Sequence, residues 1–217
     1  NELKKKFNIN SIVIYNPLNL KEILKRAQKK IDQNFFNSKN RLKIINVGRF
    51  TDQKDHITLL KAYKKISAVI EAELLIIGYG KNESLIKNYI SQNKLKNVKI
   101  KKFDDNPYKY IKRSDLLILT STYEGLPNVL LEALALKKIV ISSNCPTGPK
   151  EILKNGKYGL LFKTSNYNEL SKKIIDVYKN RKKFSKMSIS GFKSLDRFDY
   201  NLNCKKYLKI VNKSLKI

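Results

Sequence analysis

Two carboxylates lie in the segment from Thr120 to Glu132, and the distance between them suits ligand binding better than proton transfer. Glu124 comes just before Gly125 and Pro127, while Glu132 falls within an apolar run of helical periodicity. A helical rise of 1.5 Å per residue separates the two carboxylates by about 12 Å, so they cannot share one proton. They are spaced to bind two hydroxyl-bearing groups of one extended ligand.

The same segment could also hold an anion. Gly125 permits unusual backbone angles, and Pro127 suits a first helical turn. A helix that begins here would present free amides and the positive end of its dipole to a negative group. Glu132 could instead occupy an exposed helix face, but its neighbours are apolar, and a carboxylate beside a buried face needs polar partners.

Two cations, Arg49 and Lys54, follow Gly48 within one short loop, and their chemistry matches a diphosphate. A guanidinium binds two phosphate oxygens at once and an ammonium acts as a point charge, so together they can stabilise a departing diphosphate. Asp55 can cap the helix that follows. The alternative is that both cations are solvated members of a lysine-rich surface, and this loop alone leaves both interpretations open.

Two further loops carry weaker signals. The glycines at 78 and 80 suit a strand-to-helix turn first and a close approach to a ligand second. Phe103 could contact a nucleobase. The adjacent Asp104 and Asp105 invite a metal site, but next to Asn106-Pro107 they favour a turn and a helix start.

These loops need a scaffold, and the chain supplies one from Leu42 onward. Short apolar runs alternate with stretches of helical periodicity, which predicts βαβ units with helices on both faces of the sheet. Ligands bind such sheets beyond the carboxyl ends of the strands, where the residues above fall. We therefore expect an α/β fold, a Rossmann-like three-layer domain with a mostly parallel sheet. The predicted strands are 42–47, 74–77, 98–101, 116–119, 139–141 and 159–162.

The flanks of this unit predict further elements. A strand over 11–15 is stopped by Asn16-Pro17, and a charged helix follows from Leu20 to about Gln33. After the unit, two helices are predicted over 167–187 and 200–215, joined by a turn that contains Gly191.

The composition is strongly basic. A balance of 46 Lys+Arg against 18 Asp+Glu gives a net charge of +28, which attracts nucleic acid, anionic lipid or phosphorylated substrates. Only six of these cations are arginine, and the lysines are spread along the chain rather than concentrated on one element with aromatic residues. This favours a solvated surface, so we expect no nucleic-acid partner. The alternative is a non-catalytic basic domain for RNA or an anionic membrane.

Cysteine and histidine are scarce. Cys145, Cys204 and the single His56 lack the spacing of a metal site, so we expect reduced thiols and no metal. No apolar run reaches the roughly 18 residues that a membrane-spanning helix needs. We expect a cytoplasmic protein, with peripheral contact to an anionic membrane through the basic helix near the C-terminus as a further expectation.

Taken in order, these loops resemble the donor-binding domain of glycosyltransferase family 4. Members of that family have the GT-B fold of two Rossmann-like domains and retain the anomeric configuration of the sugar. The resemblance spans about residues 12–215. It rests on the order of Gly48-Arg49 with Lys54, the turn at Gly78, Ser114-Asp115, Glu124 with Glu132, and Gly148-Pro149-Lys150-Glu151-Ile152.

The resemblance implies transfer of a hexose or N-acetylhexosamine from a nucleoside-diphosphate sugar, expected to be UDP-linked, to a glycan or lipid-linked acceptor in cell-surface polysaccharide or glycoconjugate synthesis. It implies catalytic roles for Arg49 and Lys54 at the diphosphate and for Glu124 at the sugar hydroxyls, and it places Glu132 at the ribose. It implies no cofactor, because cations and a helix end replace a divalent ion. The remaining implied donor-binding residues are Gly48, Gly78, Phe103, Gly125, Leu126, Asn128 and Val129.

The resemblance also divides the chain. Residues 1–40 are similar to the end of an acceptor-binding domain and a linker, 41–190 to the nucleotide-sugar domain, and 191–217 to a helix that crosses back to the acceptor domain. The chain is therefore expected to be a fragment without most of its acceptor domain, and incomplete as an enzyme.

Overall fold

Six parallel strands form one sheet at the centre of the computed structural model, which describes residues 2–31, 35, 36, 38 and 40–215. The strands are β1 (Leu42–Val47), β2 (Ala72–Ile77), β3 (Val98–Lys101), β4 (Leu116–Leu119), β5 (Ile139–Ser143) and β6 (Leu160–Phe162). Their order in the sheet is β3-β2-β1-β4-β5-β6. The order reverses between β1 and β4, which creates a crevice beyond the carboxyl ends of these two strands.

The strand residues alternate between two apolar cores, one on each face of the sheet. Ile45, Leu75 and Leu117 belong to one core, while their neighbours Ile44 and Leu74 belong to the other. A side-chain period of two on a sheet covered on both faces explains why these strands read as continuous apolar runs. The α/β fold with three layers is confirmed, and every strand pair is parallel.

Helices cover both faces of the sheet. Asp55 caps α3 because its carboxylate accepts the amide of Thr58 at 3.1 Å, as the sequence predicts. Short 3₁₀ helices occupy Asp52–Lys54 and Ser194–Phe198. The α-helices are α1 (Glu2–Phe7), α2 (Leu20–Arg26), α3 (His56–Ile66), α4 (Glu83–Gln92), α5 (Tyr108–Ile111), α6 (Asn128–Ala135), α7 (Pro149–Ile152), α8 (Tyr167–Lys179), α9 (Arg181–Lys193) and α10 (Tyr200–Ser214).

The prediction of a strand over 11–15 is wrong. These residues have no regular secondary structure, and the only described bridge nearby joins Leu18 to Asp199. A strand needs a partner edge, and the described sheet ends at β3 and β6. The predicted helix from Leu20 ends at Arg26, and its expected continuation over 32–33 lies outside the described residues.

The C-terminal helices also differ from the prediction. A break at Asn180 divides the expected helix over 167–187 into α8 and α9. Gly191 lies inside α9 rather than in a turn. A Cβ at this residue would come within 2.7 Å of the Leu134 side chain, so no larger residue fits here. The glycine therefore serves the close packing of α9 on α6. The expected division of the chain at residues 40 and 190 stays a prediction.

Candidate functional site

A cleft opens at the carboxyl ends of β1, β2 and β3, on the same edge of the sheet as the topological crevice. It encloses about 430 Å³. Four residues predicted for the site meet there, namely Gly48, Arg49, Gly78 and Phe103. The other lining residues are Val47, Ile77, Tyr79, Asp104, Asp105, Pro107 and Tyr108.

Glycines shape the floor of this cleft. A Cβ on Gly78 would stand 1.9 Å from the carbonyl oxygen of Gly48, so the ends of β1 and β2 approach too closely for any side chain at residue 78. Gly80 has a φ of +146°, and a Cβ there would stand 2.5 Å from the carbonyl oxygen of Phe50. The sequence predicts a turn here, and the structure shows a turn that only glycine can make.

The two predicted cations have different surroundings. Arg49 is exposed at the cleft, and within the described part of the chain it forms no ion pair or side-chain hydrogen bond. Lys54 ends the 3₁₀ helix and its Nζ lies 2.5 Å from Oε1 of Glu124. Both side chains of this pair are largely buried, at 15% and 8% exposure. Lys54 and Glu124, two of the three residues predicted to be catalytic, are 70 positions apart in the sequence and are in contact in the structure.

Besides the ion pair, four hydrogen bonds among the described residues join the Lys54 loop to the Glu124 loop, the longest from the Thr122 hydroxyl to the Gln53 carbonyl at 3.3 Å. Thr120 donates its hydroxyl to the carbonyl of Lys54 at 2.7 Å, and the amide of Thr122 donates to the carbonyl of Gln53 at 2.8 Å. The Gln53 side chain in turn donates to the carbonyl of Tyr123 at 2.8 Å. The ion pair is thus fixed by backbone contacts on both sides.

Glu124 receives two further contacts. Ser121 donates its hydroxyl to the same Oε1 atom at 2.6 Å, and Thr147 donates its hydroxyl to the backbone carbonyl of Glu124. Gly148, with a φ of +71°, takes the N-cap position of α7. A Cβ on Gly148 would stand 2.2 Å from the carbonyl oxygen of Gly125, so the two loops pack tightly.

Glu132 lies in the second turn of α6, as predicted, and faces a smaller cavity of about 180 Å³ that Asn128 also lines. Burial raises the pKa of Glu132 to about 7, against the lowering effect of Tyr108, whose hydroxyl lies 3.5 Å away, and of the charge on Arg26. Tyr108 lines both cavities, so the two are neighbours. The Tyr108 hydroxyl is the one described donor to the Glu132 side chain, so little offsets the cost of burying its charge.

The remaining predicted residues lie where the loop enters α6. Gly125 is exposed with open space around it, and Asn128 is the exposed first residue of the helix. Leu126 and Val129 pack their side chains against a core, so only their backbone groups could serve a ligand. Their part in donor binding stays a prediction.

The aspartates after β3 act as turn residues. Asp104 accepts the amide of Asn106 at 2.9 Å, and Lys109 lies 3.2 Å from its carboxylate. Burial alone would raise the pKa of Asp104, but these contacts hold it below its usual value. Within the described residues, no group of three or more His, Cys, Asp or Glu side chains could hold a metal ion. Asp104 therefore serves the turn that leads into α5, and Asp105, in the bend beside it, lies 3.4 Å from the Arg26 guanidinium.

Sequence reasoning missed three residues of the site. Tyr79 packs its ring against Phe103 with centroids 5.6 Å apart, and both rings are exposed at the cleft. Tyr108 lines both cavities, and Ser121 holds Glu124. Tyr79 and Ser121 come two residues after predicted strands, so the rule that functional residues lie beyond strand ends could have identified them, whereas Tyr108 begins α5, seven residues after its strand.

A search of the described helices finds none that is both long and apolar enough to cross a bilayer.

Comparison with known proteins points to one family of enzymes. The sequence matches the model of the family "Glycosyl transferases group 1" over residues 27–194. It is 30% identical over 203 residues to the N-acetylgalactosamine-N,N'-diacetylbacillosaminyl-diphospho-undecaprenol 4-alpha-N-acetylgalactosaminyltransferase of Campylobacter jejuni, a match that covers 90% of this chain and 53% of the relative. An uncharacterised glycosyltransferase of Methanocaldococcus jannaschii is 33% identical over 165 residues, covering 69% of this chain and 40% of the relative.

Solved structures share the fold. A glycosyltransferase from Rickettsia africae superposes with a TM-score of 0.84 at 22% identity, over 99% of this chain and 61% of that one. The HepE protein of Anabaena, in complex with UDP and glucose, superposes with a TM-score of 0.81 at 19% identity, over 93% of this chain and 56% of that one.

The chain thus spans about half the length of the curated relatives it matches. Its fold is that of the C-terminal Rossmann-like domain of GT-B glycosyltransferases. The matched family covers residues 27–194, more than half of the chain. This chain belongs to the group 1 glycosyltransferases.

Proposed function

We propose that this chain is the donor-binding half of a retaining family 4 glycosyltransferase and that it binds a UDP-linked sugar. The observation that carries the proposal is the cleft at the carboxyl ends of β1, β2 and β3, where Arg49 lies exposed and Gly48 lies next to the side chain of Lys54, which is paired with Glu124. An extended ligand with a diphosphate between two hydroxyl-bearing groups fits this order of charges. The nucleoside lies toward Glu132 and the sugar toward Glu124.

The geometry gives each group a role in the transfer. The Arg49 guanidinium and the Lys54 ammonium bind the diphosphate oxygens and stabilise the negative charge that grows there as the bond to the sugar breaks. Lys54 and Ser121 both contact Oε1 of Glu124, which leaves Oε2 to accept hydrogen bonds from sugar hydroxyls. Because the site is pre-formed, little reorganisation is needed when charge develops.

Glu132 accepts the hydroxyls of the ribose. Its carboxylate is short of donors in the ligand-free chain, which the raised pKa of about 7 reflects. Two hydroxyl donors would favour the charged form and lower that pKa on binding. The exposed rings of Tyr79 and Phe103 at the far wall of the cleft are placed to stack on a base.

The relatives support the donor and acceptor classes. The Campylobacter relative is named as an N-acetylgalactosaminyltransferase acting on a diphospho-undecaprenol-linked acceptor, and a Bacillus subtilis relative as a poly(glycerol-phosphate) alpha-glucosyltransferase. We take a hexose or N-acetylhexosamine as the transferred sugar and a glycan or lipid-linked acceptor in cell-surface polysaccharide synthesis. The reaction needs no metal in this proposal, because Arg49, Lys54 and the start of α6 supply the positive charge.

The acceptor is held by the half of the protein that lies outside this chain, and α10 is the element that returns to it. Only Asn203 is buried among the fifteen residues of α10, while Tyr207, Leu208 and Val211 stay exposed beside lysines. The same helix suits peripheral contact with the anionic cytoplasmic face of a membrane. Sedimentation of the chain with anionic vesicles, compared with a Leu208→Ser variant, tests that contact. Equal sedimentation of the two proteins would contradict it.

Thermal unfolding in UDP, GDP and ADP tests the donor site. A ligand at about 100 times its dissociation constant stabilises the folded state by about 2.7 kcal/mol, which for a chain of this size raises the unfolding midpoint by about 5 to 10 °C. We expect the largest shift with UDP. The shift should disappear in Glu132→Gln and persist in Glu71→Gln, which changes an exposed carboxylate at the other end of β2. Absence of a shift with all three nucleotides would refute the proposal.

A further inference from the structure

A further cavity lies at the opposite edge of the sheet from the donor cleft, where β1, β4 and β5 begin. It encloses about 220 Å³. Three cations line it, namely Lys137 and Lys138 ahead of β5 and Arg181 at the start of α9. The six residues of β1 separate this edge from the donor cleft by about 20 Å. The cavity is therefore distinct from the donor site.

None of the three cations has an acidic partner within the described chain. Lys137 lies over the ring of Phe192 at 4.8 Å, and Arg181 over the ring of Tyr178 at 5.4 Å. Lys138 is half-buried, and no hydrogen bond or ion pair of its ammonium occurs among the described residues. A partly desolvated ammonium without a counter-charge is unfavourable, so the cavity holds more positive charge than its own groups balance.

Asp115, the carboxylate that lines this cavity, does not neutralise the three cations. Asp115 accepts the backbone amide of Lys43 at 2.9 Å and forms no ion pair within 4.0 Å of any described cation. Burial lowers the pKa of Lys138, and the charges of Lys112 and Lys43 lower it further, against the opposing effect of Asp115. Burial is thus the main reason why the charged form of Lys138 is disfavoured.

The first turn of α9 adds hydrogen-bond donors to the same cavity. The side chain of Asn180 at the N-cap does not cap the helix, because its amide donates to Asp176 at 2.6 Å. Arg181 and Ser185 follow on the face that lines the cavity. The hydroxyl of Ser185 makes no hydrogen bond among the described residues, so it is available to donate to a ligand.

We propose that this cavity binds a phosphate group, held by Lys138, Arg181 and the hydroxyl of Ser185. A tetrahedral dianion can accept hydrogen bonds from all three of these lining residues and supplies the counter-charge that the cavity lacks. The volume admits a phosphate with a small organic substituent. The phosphate comes either from a soluble phosphate ester or from a lipid headgroup, and both present the same chemistry to the cavity.

Titration with inorganic phosphate, followed by the amide NMR shifts of Ser185 and Lys138 at constant ionic strength, tests the proposal. We expect saturable shifts in the wild-type chain. Lys138→Gln and Arg181→Gln should each weaken the affinity about tenfold, the effect of losing one hydrogen bond to a charged group. Arg181 is exposed, so its variant keeps the test valid even if the change at Lys138 disturbs folding. Lys172→Gln, an exposed change on α8, should retain wild-type affinity.

Two controls show whether the ion binds in this cavity. The phosphate response should survive in Arg49→Gln, and its loss there would place the ion in the donor cleft and overturn the proposal. Equal affinity in the Lys138, Arg181 and Lys172 variants would mean general charge screening and would also overturn it. Vesicles of phosphatidylcholine with and without phosphatidate distinguish the sources. Vesicle binding that depends on Lys138 supports a lipid headgroup, whereas a response to soluble phosphate alone supports a soluble ester.

Discussion

At the residue scale, Glu132 and His56 are two buried groups that titrate in opposite senses. Burial raises the pKa of Glu132 to about 7 and lowers the pKa of His56 to about 4. Both ring nitrogens of His56 lack a hydrogen-bond partner among the described atoms, and the ring packs on Phe50 at 5.2 Å. Between about pH 4.5 and 6.5 the two titrations change the free energy of unfolding in opposite directions. The pH dependence of wild-type stability therefore shows neither titration separately.

Glu132→Gln should stabilise the chain at alkaline pH. Because the folded pKa is raised from 4.5, the contribution of Glu132 is fully present below pH 4.5 and is lost as the pH rises through 7. Removing the ionisable group should therefore raise the free energy of unfolding at pH 8 by roughly 2 kcal/mol and change it little at pH 4.5. Urea unfolding at the two pH values measures this. A variant less stable than wild type at pH 8 would contradict the burial of an uncompensated charge.

His56→Leu should act in the opposite pH range. The folded pKa is depressed from 6.5, so the stability that depends on neutral His56 is present above pH 6.5 and is lost as the pH falls through 4. The unfolding free energy of the variant should exceed that of wild type by roughly 2 kcal/mol more at pH 4.5 than at pH 7.5. Urea unfolding is again the measurement. The same difference at both pH values would show that His56 is not buried in its neutral form.

Some residues of the site could be predicted from sequence and others could not. Arg49, Gly78 and Glu124 follow strands, and the rule for parallel sheets is enough to place them at one edge. The contact of Lys54 with Glu124 spans 70 positions and depends on two loops that exchange backbone hydrogen bonds, which no local pattern encodes. The packing of the Leu126 side chain against a core could not be predicted either, because a leucine in a loop belongs to no periodic pattern.

At the element scale, the carboxyl ends of β1 and β2 depend on close backbone approach. Gly78→Ala should lower the free energy of unfolding by about 1 to 3 kcal/mol, since a Cβ there meets the Gly48 carbonyl at 1.9 Å. Gly125→Ala is the matched control, because nothing lies within 4 Å of the added atom, and its effect should stay within about 0.5 kcal/mol. Urea unfolding of both variants gives the comparison, and equal stabilities would rule out the close approach.

Elements with strong local signals were predicted well. The bounds of β1, β3 and β4 agree with the prediction, because β1 and β4 are short, mostly apolar runs and β3 alternates apolar residues with lysines. The strand predicted over 11–15 failed because β-branched residues form a strand only beside a partner edge. The prediction of a turn at Gly191 failed for a similar reason. This glycine serves the contact between α9 and α6, which the local sequence does not show.

At the scale of the whole molecule, a net charge of +28 predicts weak attraction to any polyanion. Retention of single-stranded RNA should be equal for two unrelated sequences, should fall steeply between about 50 and 200 mM salt, and should be unchanged by Glu132→Gln. Fluorescence anisotropy with labelled RNA measures all three. Sequence-selective binding at about 200 mM salt would favour the alternative of a nucleic-acid-binding domain.

The chain spans about half of its curated relatives, so its measurable share of the proposed reaction is donor binding. Calorimetric titration with UDP and with uridine isolates the contribution of the diphosphate. The account predicts that UDP binds more tightly than uridine, and that Arg49→Gln removes most of this difference while Lys172→Gln preserves it. Equal affinities for UDP and uridine, or an Arg49→Gln chain that binds UDP as well as wild type, would contradict the donor-site assignment.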